Sequence, residues 1–337
     1  MAIPNLDRSA LLALVERFPR QRVIMLGDLV ADESVYGEIM RVSREAPVLI
    51  LKERERQVAP GGGGNAANNL AALGAHVTPV GIVGDDAPGA ALLRYFRERQ
   101  VSTRNIVRVK NYLTPTKTRI LAGLSHWQRQ QVVRIDREPA HPPAAEVRTG
   151  LTRAAAALLG SSTGMLVADY GYGTTNAREV DSLRRRAHRP ALPITIDSRY
   201  DLLSYKNLTA ATPNEPELET AFGQSIGNDL ERLHNLGKKF LRRQELQALL
   251  VTRGRDGMAL FEPRRPPRHL PIFGSDQAVD VTGAGDTVIA AFTLALAAGG
   301  SFLEAAMIAN CAGGIVVMKR GTATVSLGEI TEAIRNA

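Results

Sequence analysis

Short apolar runs alternate with amphipathic stretches along nearly the whole chain, and no other feature restricts the fold as strongly. The runs "RVIMLGD" (22–28), "HVTPVGIVG" (76–84), "GMLVADY" (164–170), "LPITIDS" (192–198), "LQALLVTRG" (246–254) and "GMALFEP" (257–263) read as strands. Between them, "NAANNLAALG", "GAALLRYFRERQ", "TRAAAALLG", "NAREVDSLRRRAHR", "EPELETAF", "DLERLHNLGKKFLRRQ" and the segment after Asp286 carry helical spacing. Strands separated by helices join in parallel, so the expected fold class is α/β, a mostly parallel central sheet with helices on both faces. Two stretches break the rhythm. Residues 46–62 and 116–136 have strand character with no helix between strands, and they predict a small antiparallel appendage placed as a lid over a site. The loop 262–271 reads as a solvated turn, and "LLALVERFPRQR" as a first helix rather than a leader.

Composition excludes several classes. With 337 residues and 44% hydrophobic content, the chain can build a sizeable core. The single cysteine, Cys311, rules out a disulfide framework, the histidines lack zinc spacing, and a reducing cytoplasm is expected. No apolar run reaches the length of a membrane span, so no membrane partner is expected. The net charge of +8 comes from scattered arginines without interleaved aromatics, which argues against nucleic acid and suits an anionic small molecule.

Two glycine sites focus the chemistry. "PGGGGNAANNLAALG" (60–74) places four glycines before a helix, allowing close backbone approach to a ligand, with Asn65 placed to bond hydroxyls. "DVTGAGDTVIAAF" (280–292) opens another helix. There the Gly283, Ala284 and Gly285 amides form a positive pocket for a transferring phosphoryl group, and Asp286 is placed to take a proton from an incoming hydroxyl. Helix capping alone would account for an acid at 286 but not for Gly-Ala-Gly before it. Other phosphate motifs fail: Gly237-Lys238 has Arg232 where a P-loop needs its first glycine, and Val288 stands where a dinucleotide fingerprint needs its third.

These residues resemble a known family. "DVTGAGDTVIAAF" looks like the C-terminal signature of the ribokinase-like (PfkB) carbohydrate kinases, and "APGGGGNAANNLAALGAHVTPVGIVGDDAPG" looks like their N-terminal signature. "TPNEPE" resembles the family's Asn-x-x-Glu motif, and "LVTRGRDGMAL" its nucleotide-side strand and turn. The resemblance implies a three-layer α/β/α sandwich, one domain over residues 1–337, with a β-strand lid from about 38–60 and 112–136. It also implies ATP as phosphoryl donor, Mg²⁺ oriented by Asn214 and Glu217, and Asp286 as general base. Thr252, Gly254 and Gly257 would contact the nucleotide, and Asn310 would lie near the adenine. Asp32, Gly61, Gly62 and Asn65 would line the sugar pocket, while Asp28 reads as a strand-end cap. Asp280 and Thr282 would hold a monovalent cation, K⁺ in some relatives. "TPNEPE" also reads as a plain helix start.

Within the family, the stretches "GDLVADESVYGEIMRVSREAPVLILK", "TKTRIL", "RQQVVRID", "VADYGYG" and "GTATVS" are similar to kinases acting at C1 of D-glycero-β-D-manno-heptose 7-phosphate, on the route to ADP-heptose. Such kinases are often fused to a nucleotidyltransferase, and the stand-alone kinase form is the expectation here. It departs at "IDSR", where Arg199 replaces the subfamily's lysine, and at Gly63 and Gly64, which replace alanine-like residues. A phosphorylated substrate needs further cations, and Arg41, Lys117, Arg119 and Arg134 fall in or beside the lid stretches, with Lys117 and Arg119 expected at the phosphate. Trp127 is expected on the lid, at a dimer interface or over the sugar, and the unpaired lid edges predict a homodimer. A kinase for another substrate (ribose, fructose 6-phosphate or a nucleoside) and a non-catalytic sugar-binding regulator are the competing readings.

Overall fold

The computed structural model describes residues 7–123, 130–187, 192–275 and 277–337, so Trp127 lies outside the described residues. The first helix is α1 (Arg8–Val15), capped by the Asp7 side chain. Strand β1 (Arg22–Gly27) leads through the single residue Asp28 into β2 (Leu29–Val42), which turns back as β3 (Leu49–Gly62). Then follow α2 (Gly63–Ala72), β4 (His76–Gly84), α3 (Ala87–Glu98), β5 (Asn105–Val109), β6 (Thr116–Gly123) and β7 (Gln130–Arg137). The middle of the chain forms α4 (Ala145–Leu158), β8 (Gly164–Asp169), α5 (Ala177–Arg186), β9 (Ile194–Ser198), β10 (Ala210–Ala211), α6 (Glu215–Phe222) and α7 (Leu230–Arg243). The chain ends with β11 (Ala248–Thr252), β12 (Met258–Phe261), β13 (Arg268–Leu270), α8 (Ala284–Ala297), α9 (Phe302–Val316) and α10 (Leu327–Asn336).

Nine described strands form one sheet in the order β13-β12-β11-β10-β9-β8-β1-β4-β5, parallel except where β12 joins β11 and β13. Period-two alternation in the buried strands divides the core between the two faces. Val23 and Met25 of β1 join a cluster with α1, α2, α3, α8, α9 and α10, while Ile24 and Leu26 join a second with α4, α5, α6 and α7. Leu166 and Leu250 fall in the first cluster and Met165 and Val251 in the second, so both faces are covered, as the sequence pattern predicts. Among the described residues, no helix is long and apolar enough to cross a membrane.

The small sheet has the order β3-β2-β6-β7 and differs from expectation in two ways. It begins at Leu29 rather than near 38, and it is mixed rather than antiparallel, because β2 pairs with β6 in parallel. Register shifts at Tyr36/Gly37 and Ile39/Arg41 reverse which face the side chains occupy, which hides the alternation of β2 in the sequence. The 262–271 loop likewise contains β13, a three-residue strand.

Candidate active site

The chain leaves β1 for β4 on one side, and β8 later adds on the other, so the direction of the sheet switches between β1 and β8. Crevices form at such switch points beyond the carboxyl ends of parallel strands. A cleft of about 580 Å³ lies there, lined by Asp32, Lys117, Arg119, Arg134, Tyr170, Asp197, Arg199, Asn214, Glu217, Thr252 and Asp286, among others. The ends of β9, β10 and β11, the root of the small sheet and the start of α8 all converge on it.

Asp286 is in the first turn of α8, and its side chain is buried. Asn65 donates from Nδ2 to Asp286 Oδ2 at 2.9 Å, and the Tyr170 hydroxyl donates to Oδ1 at 2.5 Å. Burial pushes the carboxyl up to about 7, against the lowering effect of these two bonds. The Asn65 amide also reaches the Gly283 carbonyl at 3.3 Å, and Asn69 and Thr287 extend the buried network linking α2 to α8. Gly283 caps α8 with φ +75°, and a Cβ there would lie 2.4 Å from Asn65 Nδ2. Glycine is therefore required on both conformational and steric grounds.

The helix mouth differs in detail from the sequence reading. The Ala284 amide bonds the Val281 carbonyl at 3.2 Å, and its side chain packs on the core. The amides of Gly283, Gly285 and Asp286 have no acceptor among the described residues, so the open donors are these three rather than Gly283, Ala284 and Gly285. Asn65 is wholly buried with its amide given to Asp286 and Gly283, so it stands behind the acid rather than in the cleft lining.

Asp32 accepts from Arg119 Nη1 at 2.8 Å on Oδ1 and from the Thr322 hydroxyl at 3.0 Å on Oδ2. Gly61 underlies it, since a Cβ at that position would be 2.8 Å from the Asp32 carboxyl carbon. Gly62 packs on the Tyr170 ring at φ +55°. Asp28 directly follows the end of β1 and is buried at the junction of the two sheets. It accepts the Tyr170, Tyr172 and Thr174 amides at 2.8, 3.1 and 3.0 Å, which fixes the loop after β8.

Lys117 is half-buried, makes no ion pair among the described residues, and its ammonium lies 6.0 Å from the Tyr170 ring centroid. Burial and the nearby Arg199 charge lower its pKa. The Arg199 guanidinium is also without an ion pair among the described residues, lying 5.6 Å from the Tyr200 ring centroid. Arg134 pairs with Asp136 at the rim, and Arg41 is exposed near the far end of β2.

Asn214 and Glu217 form a capping box on α6: Asn214 Oδ1 accepts from the Glu217 amide at 2.8 Å, and Glu217 Oε2 accepts from the Asn214 amide at 3.0 Å. The helix-start reading is therefore present in the structure, and both residues also line the cleft. Glu217 Oε1 carries no hydrogen bond among the described residues, and burial raises the carboxyl pKa. Desolvation in the cleft, with the nearby Glu217 and Asp286 charges, raises the carboxyl of the half-buried Asp197 well above the usual carboxylate range. Among the described residues no group of three or more His, Cys, Asp or Glu is suited to a metal.

The residues expected at the nucleotide are only partly brought together. Thr252 lines the cleft. Gly254 and Gly257 flank a turn beyond it, where the Arg253 amide bonds the Gly257 carbonyl at 2.9 Å, and Asn310 donates to the Pro271 carbonyl at 2.7 Å. Asp280 accepts the Thr282 and Gly321 amides, each at 2.9 Å. Those bonds, together with the Thr282 hydroxyl, outweigh burial and hold its carboxyl below the usual range.

Tyr170 and Asp197 are functional candidates that sequence reasoning left without roles. "VADYGYG" and "IDSR" were informative as stretches, but only the fold brings Tyr170, Asp197 and Asp286 together.

Residues 24–328 match the pfkB family of carbohydrate kinases. A bifunctional protein HldE of Pelobacter propionicus is 37% identical over 330 residues, covering 98% of this chain. The chain spans 66% of that relative's length. Arabidopsis thaliana ribokinase, solved with ribose and ATP, superposes with a TM-score of 0.71 at 21% identity, covering 94% of this chain and 99% of its own. Escherichia coli phosphofructokinase-2, solved with potassium, gives 0.73 at 16% identity, covering 94% and 98%. These two structures show the fold alone.

Proposed function

The chain belongs to the pfkB family of carbohydrate kinases, and we propose that within it the protein transfers the γ-phosphoryl group of ATP to the C1 hydroxyl of D-glycero-β-D-manno-heptose 7-phosphate. One observation carries this reading: a single cleft holds the buried acid Asp286 together with Lys117, Arg119, Arg134 and Arg199. Lys117 and Arg199 have no ion-pair partner among the described residues, and a phosphate already on the substrate supplies the anion that a neutral sugar does not. The stretches similar to heptose kinases point to the same sugar.

In this reading Asp286 takes the proton of the C1 hydroxyl as the phosphoryl group arrives, and its elevated pKa suits a base working near neutrality. The open amides of Gly283, Gly285 and Asp286 donate to the charge that develops on the transferring oxygens. Asp32 and the backbone at Gly61 and Gly62 orient the sugar hydroxyls. Lys117 and Arg119 hold the distal phosphate, with Arg119 also fixing Asp32. Arg199 faces the polyphosphate, and Thr252 lines the nucleotide end, with Gly254, Gly257 and Asn310 beyond it toward the base.

Hard oxygen donors suit Mg²⁺, and the free Glu217 Oε1 beside Asp197, with Asn214 at the same helix start, is such a set. Magnesium held there would neutralise charge on the ATP phosphates. Asp280, with both oxygens on backbone amides, shapes the loop in which Thr282 and neighbouring carbonyls would surround K⁺, the ion named with the solved phosphofructokinase-2. The free edges of β3 and β7, with Met40, Val42, Val133 and Ile135 exposed nearby, support pairing of two small sheets into a homodimer. We place the whole chain in one kinase domain acting in the cytoplasm.

The deciding experiment is an ATP-dependent assay with heptose 7-phosphate beside fructose 6-phosphate and ribose, comparing wild type with Asp286→Asn. Turnover with heptose 7-phosphate, and its loss in the variant, is the expected outcome. Turnover only with another sugar overturns the heptose reading, and sugar binding without turnover overturns the kinase reading for this chain.

A further inference from the structure

We propose that Tyr170 is a positioning residue for the base: its hydroxyl, with the Asn65 amide, clamps the Asp286 carboxylate in the one orientation that faces the incoming hydroxyl. This rests on the kinase reading. A carboxylate on a short side chain turns freely about its last bond unless both oxygens are held. Here each oxygen has its own donor, Asn65 on Oδ2 at 2.9 Å and Tyr170 on Oδ1 at 2.5 Å. The phenol has one hydrogen to give, and Asp197 Oδ2, at 3.3 Å, is the more distant acceptor. The hydroxyl therefore stands between two acids of the cleft and donates to Asp286.

The clamp is itself held. Asp28 accepts the Tyr170 amide at 2.8 Å and two further amides of the same loop, so the backbone that carries the phenol is fixed at the root of both sheets. Gly62 gives the ring its place, because a Cβ there would lie 3.2 Å from two ring carbons. Small misplacement of a reacting group costs about 10²-fold in rate, which sets the scale of the effect expected.

The test is a four-cornered comparison of wild type, Tyr170→Phe, Asp286→Asn and the double variant, with ATP and heptose 7-phosphate. Tyr170→Phe should lower kcat by about 10- to 100-fold, the scale of one hydrogen bond to a charged group, with both KM values changed less than about threefold. In the Asp286→Asn background the same change should cost no further rate. Equal losses in both backgrounds, or a raised KM with kcat intact, would assign Tyr170 to the wall of the cleft and overturn the proposal. The ¹³C resonance of the Tyr170 ring carbon bearing the hydroxyl, identified by its absence in Tyr170→Phe, should move in Asp286→Asn. An unmoved resonance overturns the contact without reference to turnover, so a failed sugar assay and a failed clamp give different results.

Discussion

Arg119 donates to Asp32 across two strands, Nη1 to Oδ1 at 2.8 Å, where β6 runs parallel to β2 at the mouth of the cleft. The side chains are 18% and 10% exposed, so the pair is largely desolvated and removal of one partner leaves the other charged and underpaired. The bond joins neighbouring strands of the small sheet, and both side chains line the cleft.

Arg119→Ala should therefore raise KM for heptose 7-phosphate by about tenfold or more, the scale of about 1.5–3 kcal/mol for a hydrogen bond to a charged group. The KM for ATP should stay within about twofold. Steady-state kinetics with each substrate varied in turn checks this, and an equal rise for both substrates would count against the assignment.

Lys117→Met separates the phosphate reading from a general role in closing the cleft. The variant removes a cation that is half-buried and unpaired among the described residues, so the unliganded protein should be as stable as wild type or slightly more so. Activity on the phosphorylated heptose should fall by about 10- to 100-fold, the worth of one charge-assisted contact. A thermal melt beside the kinase assay shows both effects, and a destabilised protein would indicate a structural role.

Glu217→Gln keeps an acceptor for the Asn214 amide and removes the charge. Stability should change by less than about 0.5 kcal/mol, because the capping box survives. The Mg²⁺ concentration needed for half-maximal rate should rise by about tenfold, the lower range for disturbed metal sites. Titration of activity with Mg²⁺ at fixed ATP measures it.

The Asp286 carboxyl, raised to about 7 in the folded protein against 3.8 for the ordinary group, predicts two pH effects of known sign. As a base it must be ionised, so kcat/KM should fall tenfold per unit below about pH 7. A raised carboxyl pKa means that the folded state holds a proton the unfolded chain has released, so this group reduces stability as pH rises from about 4 to 7. Asp286→Asn removes that loss, and the variant should be more stable than wild type at pH 8, by up to about 4 kcal/mol from the full shift, with the difference shrinking toward pH 4. Denaturant melts at the two pH values test the sign.

Gly283→Ala should cost about 2–4 kcal/mol, since it strains φ +75° and drives a methyl to 2.4 Å from Asn65 Nδ2. Activity should fall further than stability, because Asn65 is one of the two donors on Asp286. Urea denaturation and the kinase assay together separate the two losses.

The layered sheet was legible because β1, β4, β8 and β11 are apolar on both faces and helical spacing follows β4 and β8. Asp286, Gly283 and Asp32 were legible because local motifs place them at a helix start and beyond a strand end. β2 was not, because two register shifts break its alternation, and β10 and β13, of two and three residues, are too short to show any period. Tyr170 and Asp197 escaped for another reason: their nearest functional partner, Asp286, is far along the chain, and no spacing encodes a contact made across the sheet. Asn65 was found as a residue but not in its direction, since a buried amide donates to whichever acceptor packing supplies.

Asp28 alone separates β1 from β2, so at this crossing the large sheet passes into the small one through one residue. The same side chain grips the amides of the loop bearing Tyr170. Were the outer sheet to tilt, the side chain at this joint would carry the movement to the loop behind Asp286, because it holds three of that loop's amides.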